Sequence, residues 1–244
     1  MKGGKKMRKL FMIIAVSLFF LPFLVKAEEN DEQYYITKYY KTVTYNNFIS
    51  TFYNNSITTE ITEEEYNNAD TSQSKSATVE TTYKKLTSSI AANGSNYRYK
   101  AELIWKIIPS VRSYDIIGIG FYQNVKVKNN NLYFNQEYCL SSGSCYNSSI
   151  NYPQIFSNGA GTSFALPSGS LSSLKETLYF DVEKNTSATI TSQLAASDYS
   201  HATSTISLAN SKKYSVNANG ISLNGVSSYY DNINAAKAYW SGSW

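Results

Sequence analysis

The chain has 244 residues, with 22 basic and 18 acidic side chains, a single histidine and a formal net charge of +4. Six of the basic residues and none of the acidic ones fall within the first 27 positions, so the remaining 217 residues carry 16 basic and 18 acidic groups, a net of −2. That mild, mixed charge argues against a nucleic-acid-binding protein. Two cysteines and one histidine are too few ligands for a structural zinc, so no metal or cofactor is expected.

The N-terminus is built like a cleavable signal peptide spanning residues 1–27. Lys2, Lys5, Lys6, Arg8 and Lys9 form a basic head, and an apolar run from Leu10 to Val25 follows, interrupted by Ser17 and Pro22. Val25 and Ala27 then place small residues at the −3 and −1 positions of a cleavage site. The run falls short of the roughly 20 residues that a membrane-spanning helix needs. A secreted, extracellular protein is expected, cut after Ala27.

Residues 28–76 read as an N-terminal strand, from Tyr34 to Tyr45, and a polar linker from Thr59 to Ser76 that contains Glu63, Glu64 and Glu65. Whether this region stands apart or joins the main sheet is open at the sequence level. Residues 77–244 read as one β-sandwich domain, although 28–244 as a single domain fits equally.

From Ala77 onward the apolar period is two, the signature of half-buried strands. Leu103, Trp105 and Ile107 share one parity; Ile117, Ile119, Phe121 and Val125 share another in a long strand where Gly118 and Gly120 suggest a bend, a bulge or a close approach by another backbone. Leu178, Phe180 and Val182 form a third set, and Ile206 and Leu208 a fourth. Asn-Gly steps at 93–94, 158–159, 219–220 and 224–225 are hairpin signals, because they accept positive φ. Many short strands without long helical patterns predict an all-β, antiparallel sandwich, jelly-roll or Ig-like, with at most one or two short helices. One such helix is expected from Asp231 to Trp240, capped by Asp231, with an edge strand as the alternative.

Cys139 and Cys145 bracket a turn-rich loop and are expected to pair at a hairpin tip. Closing so small a ring is worth about 2 kcal/mol in the chain-entropy account.

Catalytic motifs are absent. His201 follows Asp198 and Ser200, but no nucleophile elbow surrounds them, and strand parity places His201 on a polar, solvated face. Asp181 and Glu183 lie two apart on one strand face; with Asn185 they offer oxygens for a cation, or a carboxylate pair for glycoside hydrolysis. The run from Gly159 to Thr162 lacks the lysine and the following helix of a phosphate loop and reads as a turn.

Two of the three tryptophans stand at the C-terminus. Tyr239, Trp240 and Trp244, with Tyr229 and Tyr230 nearby, supply rings on which sugars stack. The expected function is therefore a non-enzymatic secreted or cell-surface module that binds a glycan or cell-wall polymer through this tail. Two alternatives are kept. One is a pore-forming protein whose Ser/Thr-rich segment from Thr186 to Leu208 enters a membrane as a hairpin. The other is a secreted hydrolase using Asp181, Glu183 or His201.

Overall fold

The computed structural model describes residues 36–45, 55–62 and 74–244. The signal segment, 1–27, and the run Glu63, Glu64, Glu65 lie outside the described residues.

Alternation builds the larger sheet. In β4 (Lys84–Asn93), positions 84, 86, 88 and 90 are buried and the residues between them are partly open. β5 (Asn96–Trp105) repeats the pattern with Tyr99, Ala101, Leu103 and Trp105. The two close as a hairpin in which Asn93 faces Asn96, and Gly94 takes a φ of +64° in the connection. The third long element, β12 (Leu171–Lys184), buries Leu174, Leu178, Phe180 and Val182 on the same side.

Around these three strands a sheet of nine assembles. β1 (Ile36–Tyr45), β2 (Asn55–Ile61) and β3 (Ser74–Glu80) extend it beyond β4; β8 (Tyr133–Leu140) and β9 (Cys145–Ser148) extend it beyond β12, giving the order β2-β1-β3-β4-β5-β12-β8-β9. β7 (Val125–Val127) pairs with the far end of β12. The N-terminal strand is thus hydrogen-bonded into the main sheet, and both ends of the expected polar linker are strands. β8 and β9 set Cys139 directly opposite Cys145, and the disulfide joins them.

A five-stranded antiparallel sheet packs over the first, in the order β10-β11-β6-β13-β16. Its strands are β6 (Tyr114–Gly120), β10 (Tyr152–Phe156), β11 (Gly159–Ala165), β13 (Ser192–Ala202) and β16 (Tyr230–Ser241). The core between the sheets holds Tyr99, Phe121, Phe134, Phe164, Phe180 and Tyr199. The fold is the expected all-β antiparallel sandwich.

A third layer was not foreseen. The hairpin β14 (Tyr214–Asn217) and β15 (Gly220–Leu223) lies on the outer face of the smaller sheet and closes a second core with Ile116, Ile206, Val226 and Tyr230. The space for it is made by glycines. Gly120 pairs with Gly159 and Gly118 with Gly161 across β6 and β11, and all four present their missing side chains to the hairpin. A Cβ at Gly118 would lie 2.9 Å from a methyl of Val216. At Gly120 it would strike the backbone carbonyl of Asn217, and at Gly159 that of Val216. Of the three meanings open for the 118–120 pair, close approach by another backbone is the one realised.

Other expectations are corrected. The long strand through residues 117–128 is two strands in different sheets, because a turn at Tyr122, closed by the Val125 amide donating to its carbonyl, carries the chain from one sheet to the other. β5 stops at Trp105, so Ile107 falls outside the alternation and is 47% exposed. Leu208 begins a one-turn helix, α1 (Leu208–Ser211), capped by the Ser207 hydroxyl, and is only partly buried. The run from Gly159 to Thr162 is part of β11 and not a turn. The segment from Asp231 to Trp240 is the edge strand of the smaller sheet rather than a helix, and Ile233 on one side of a register shift and Ala236, Ala238 and Trp240 on the other close the core.

Candidate functional site

The aromatic tail does not form one platform. Trp240 is buried against Tyr97, with centroids 4.9 Å apart, and Tyr230 is buried with its hydroxyl donating to the Tyr114 carbonyl. Trp244 is half-buried: it meets Tyr97 edge-on, its indole N–H donates to the Ser95 carbonyl, and the Lys184 ammonium lies over its ring. Only Tyr229 and Tyr239 are exposed.

The carboxylates of the hydrolase alternative are engaged. Asp181 accepts from Arg98 Nε at 2.8 Å and from the Asn93 amide at 3.0 Å; the Arg98 hydrogen bond, above all, holds its carboxyl below the usual range. Glu183 pairs with Lys126 at 3.3 Å, and the Asn185 amide donates to the Gln123 carbonyl. Among the described residues no group of three or more His, Cys, Asp or Glu side chains is placed to hold a metal. His201 is elsewhere altogether, in the interior. The segment from Thr186 to Leu208 is no hairpin: its strand, β13, is hydrogen-bonded to β6 on one side and β16 on the other.

The open aromatic surface lies at the other end of the molecule. There the chain passes from β9, at the rim of the larger sheet, to β10, at the rim of the smaller one. The passage leaves a groove of about 480 Å³ lined by Gln136, Tyr138, Tyr146, Ser148, Ile150 and Tyr152, among others. Tyr138 and Tyr146, opposite each other in the disulfide-closed hairpin, stack at 5.4 Å with 26° between their planes. Tyr146 is 47% exposed and Ile150 73%. Such large apolar side chains in water, on a wall that a disulfide holds, are the pattern of a binding surface. Sequence reasoning found the disulfide but not the groove, since only the meeting of two sheet rims puts these tyrosines together.

The second concentration of chemistry is buried. Asp115, fully enclosed at the start of β6, accepts three hydrogen bonds: from the Tyr199 hydroxyl, from His201 Nδ1 at 2.9 Å and from the Ala202 amide at 2.8 Å. An acceptor-only carboxylate fixes the tautomer, with Nδ1 carrying hydrogen. Trp105 meets the imidazole edge-on at 4.9 Å, and the Lys84 ammonium lies 5.4 Å from the Trp105 ring. Lys84, 1% exposed, pairs with Asp231 at 2.9 Å. Glu176 is buried close by; burial, and then the charge of Asp115, push its carboxyl well above the usual range, and Gln136 alone reaches it among the described residues.

These residues carried a sequence signal. Asp115 has the parity of Ile117 and Ile119, Glu176 that of Leu174 and Leu178, and Lys84 that of Leu86 and Ile90. Each is an ionisable group at a core-facing position. His201 has the parity of Tyr199 and faces inward; the expectation of a solvated face rested on residues 203–208, where the strand no longer exists.

Under the hairpin, Asp198 accepts from the amides of Ile221 and Tyr199, both at 2.7 Å, and burial pushes its carboxyl up to about 7 despite those bonds. Asp198 and Glu176 therefore bind protons more tightly folded than unfolded. Their contribution to stability is complete below the unfolded carboxyl value and is lost as pH rises, for Asp198 through about 7. The lowered carboxyls of Asp181 and Glu80 act oppositely, but only as pH falls through their own depressed values. Thermal unfolding should thus show a higher Tm at about pH 5 than at about pH 8, with a shallower slope in Glu176→Gln. A Tm that climbs over that interval contradicts the assignment.

No known protein family matches the chain, and no curated protein does. One solved structure, described as complete manganese lipoxygenase of Gaeumannomyces graminis with partial zonadhesin of Komagataella pastoris, is similar at 9% identity over 77% of this chain, with a TM-score of 0.29. The chain spans 63% of that protein's length. At that level the likeness carries no argument about function.

Proposed function

We propose that this chain is an exported, non-enzymatic module that binds a glycan or cell-wall polymer in the groove between β9 and β10. The observation that carries this reading is the stacked pair of half-buried Tyr138 and exposed Tyr146, with Tyr152 lining the same groove. A pyranose offers a face of C–H bonds to such rings. Ser148 and Ser168 stand among them as hydrogen-bonding groups for hydroxyls. The disulfide and the N-terminal signal pattern support export to an oxidising compartment. The site differs from the C-terminal tail because Trp240 and Tyr230 are committed to the core.

The test is retention of purified residues 28–244 on insoluble cell-wall material and common polysaccharides. Tyr138→Ala/Tyr146→Ala should weaken retention by roughly tenfold or more, since losing two stacking rings costs about 1.5 kcal/mol or more. Trp244→Ala should leave it largely intact. Failure of the unaltered protein to bind, or equal binding by the tyrosine double variant, overturns the groove.

A further inference from the structure

The ion pair between buried Lys84 and partly open Asp231 takes no part in the proposed binding groove. Lys84 opens β4 in the larger sheet, and Asp231 lies near the start of β16, at the edge of the smaller one. They are 147 residues apart in sequence, yet the ammonium nitrogen is 2.9 Å from a carboxylate oxygen. The strand register adds two neighbours. Lys84 is directly opposite Trp105 in β5, and Asp231 is directly opposite His201 in β13. The imidazole is held by the fully buried Asp115 through Nδ1, which leaves Nε2 as the nitrogen with a lone pair.

We propose that Lys84 and Asp231 condense into an intramolecular amide that ties β4 to β16. Charges drawn out of water favour proton transfer between them, and the resulting neutral amine and carboxylic acid are the two partners an amide requires. Their fixed contact replaces the entropy of encounter with a high effective concentration. The amine nitrogen attacks the Asp231 carboxyl carbon, the C–N bond forms, and one C–O bond breaks. The three hydrogens of the ammonium divide: one stays on the amide nitrogen and two leave with the departing oxygen as water. His201 Nε2 carries a proton from the nitrogen to that oxygen, and Asp115 stabilises the imidazolium in between. The step needs no oxidant and no other co-reactant. Trp105 covers the lysine and keeps bulk water from the bond once it has formed. The product is a covalent lock between the two sheets, suited to a protein that works outside the cell without chaperones or resynthesis.

Intact-mass measurement of the purified, denatured and reduced protein decides the matter. The unaltered chain should be one water lighter than its sequence requires, while Lys84→Arg and Asp231→Ala should show their full masses. Proteolysis should yield a branched peptide joining the segment with Lys84 to the segment with Asp231. Full mass in the unaltered protein overturns the bond, whether or not the variants fold, as does a water loss that maps to other residues. His201→Gln should retain full mass; condensation as fast as in the unaltered chain overturns the relay through His201.

Discussion

Gly120→Ala is expected to lower stability by about 3 kcal/mol or more and to release the β14–β15 hairpin from the sheet beneath it. The added methyl has nowhere to go, because the group it meets is the carbonyl of Asn217 and not the end of a flexible side chain. Asn217 is paired with Gly220 within its own hairpin, so its backbone retreats only if the hairpin moves as a whole. Undocking would expose the second core, Tyr214, Val216 and Val226 among it, and leave the Asp198 carboxylate without its Ile221 amide. Urea unfolding should show the loss, and amide exchange should localise it to residues 214–223. Gly118→Ala is the graded comparison: its methyl meets side-chain atoms of Val216 and Ile221, which can shift, so about 1 kcal/mol is expected. Gly94→Ala meets nothing and should cost only the left-handed backbone, about 1 kcal/mol. Equal effects at all three positions would mean that the glycine floor is not what admits the hairpin.

Asp115→Ala should destabilise by about 3–5 kcal/mol, the range for removing one partner of a buried charged network. The carboxylate has no redundancy. Tyr199 and His201 rely on one oxygen and the Ala202 amide on the other, all in a layer closed to water. Removing it strands three donors at once, and buried donors without partners lose their full solvation. Glu176→Gln gives the contrast. Its carboxyl is held in the neutral form, so replacing it with a neutral amide of the same shape should change stability by less than about 1 kcal/mol near the unfolded carboxyl value of about 4 and should stabilise the protein increasingly as pH rises above it, because the variant takes up no proton on folding. Denaturant midpoints for the two variants separate these cases. An Asp115→Ala protein as stable as the unaltered one would show that the three donors find other acceptors.

How far the chain could be read in advance depended on how local each signal was. The strands with unbroken alternation, such as those bearing Leu103, Phe180 and Val182, were legible because the period of two is written into consecutive residues. The disulfide was legible because a short, turn-rich spacing leaves two cysteines little choice. Where alternation met a break the reading failed. Ile107 and Leu208 continue the apolar pattern past the true strand ends, and one extrapolated parity sent His201 to the surface when it belongs in the core. The tail tryptophans were singled out for their chemistry, but whether a ring stacks on a ligand or on Tyr97 depends on what lies across from it.

The sequence by itself determined the strand class, most of the core-facing positions and the disulfide, because each follows from the pleat of a single chain or from covalent spacing. Tertiary structure decided which strands share a sheet, why four glycines had to line up in two neighbouring strands, and that Lys84, Asp115 and His201 are buried, with the partly open Asp231 against Lys84. Those outcomes depend on residues far apart in sequence being brought within a few ångströms. Pairing across such separations is fixed by how the sheets stack, and no local pattern records it.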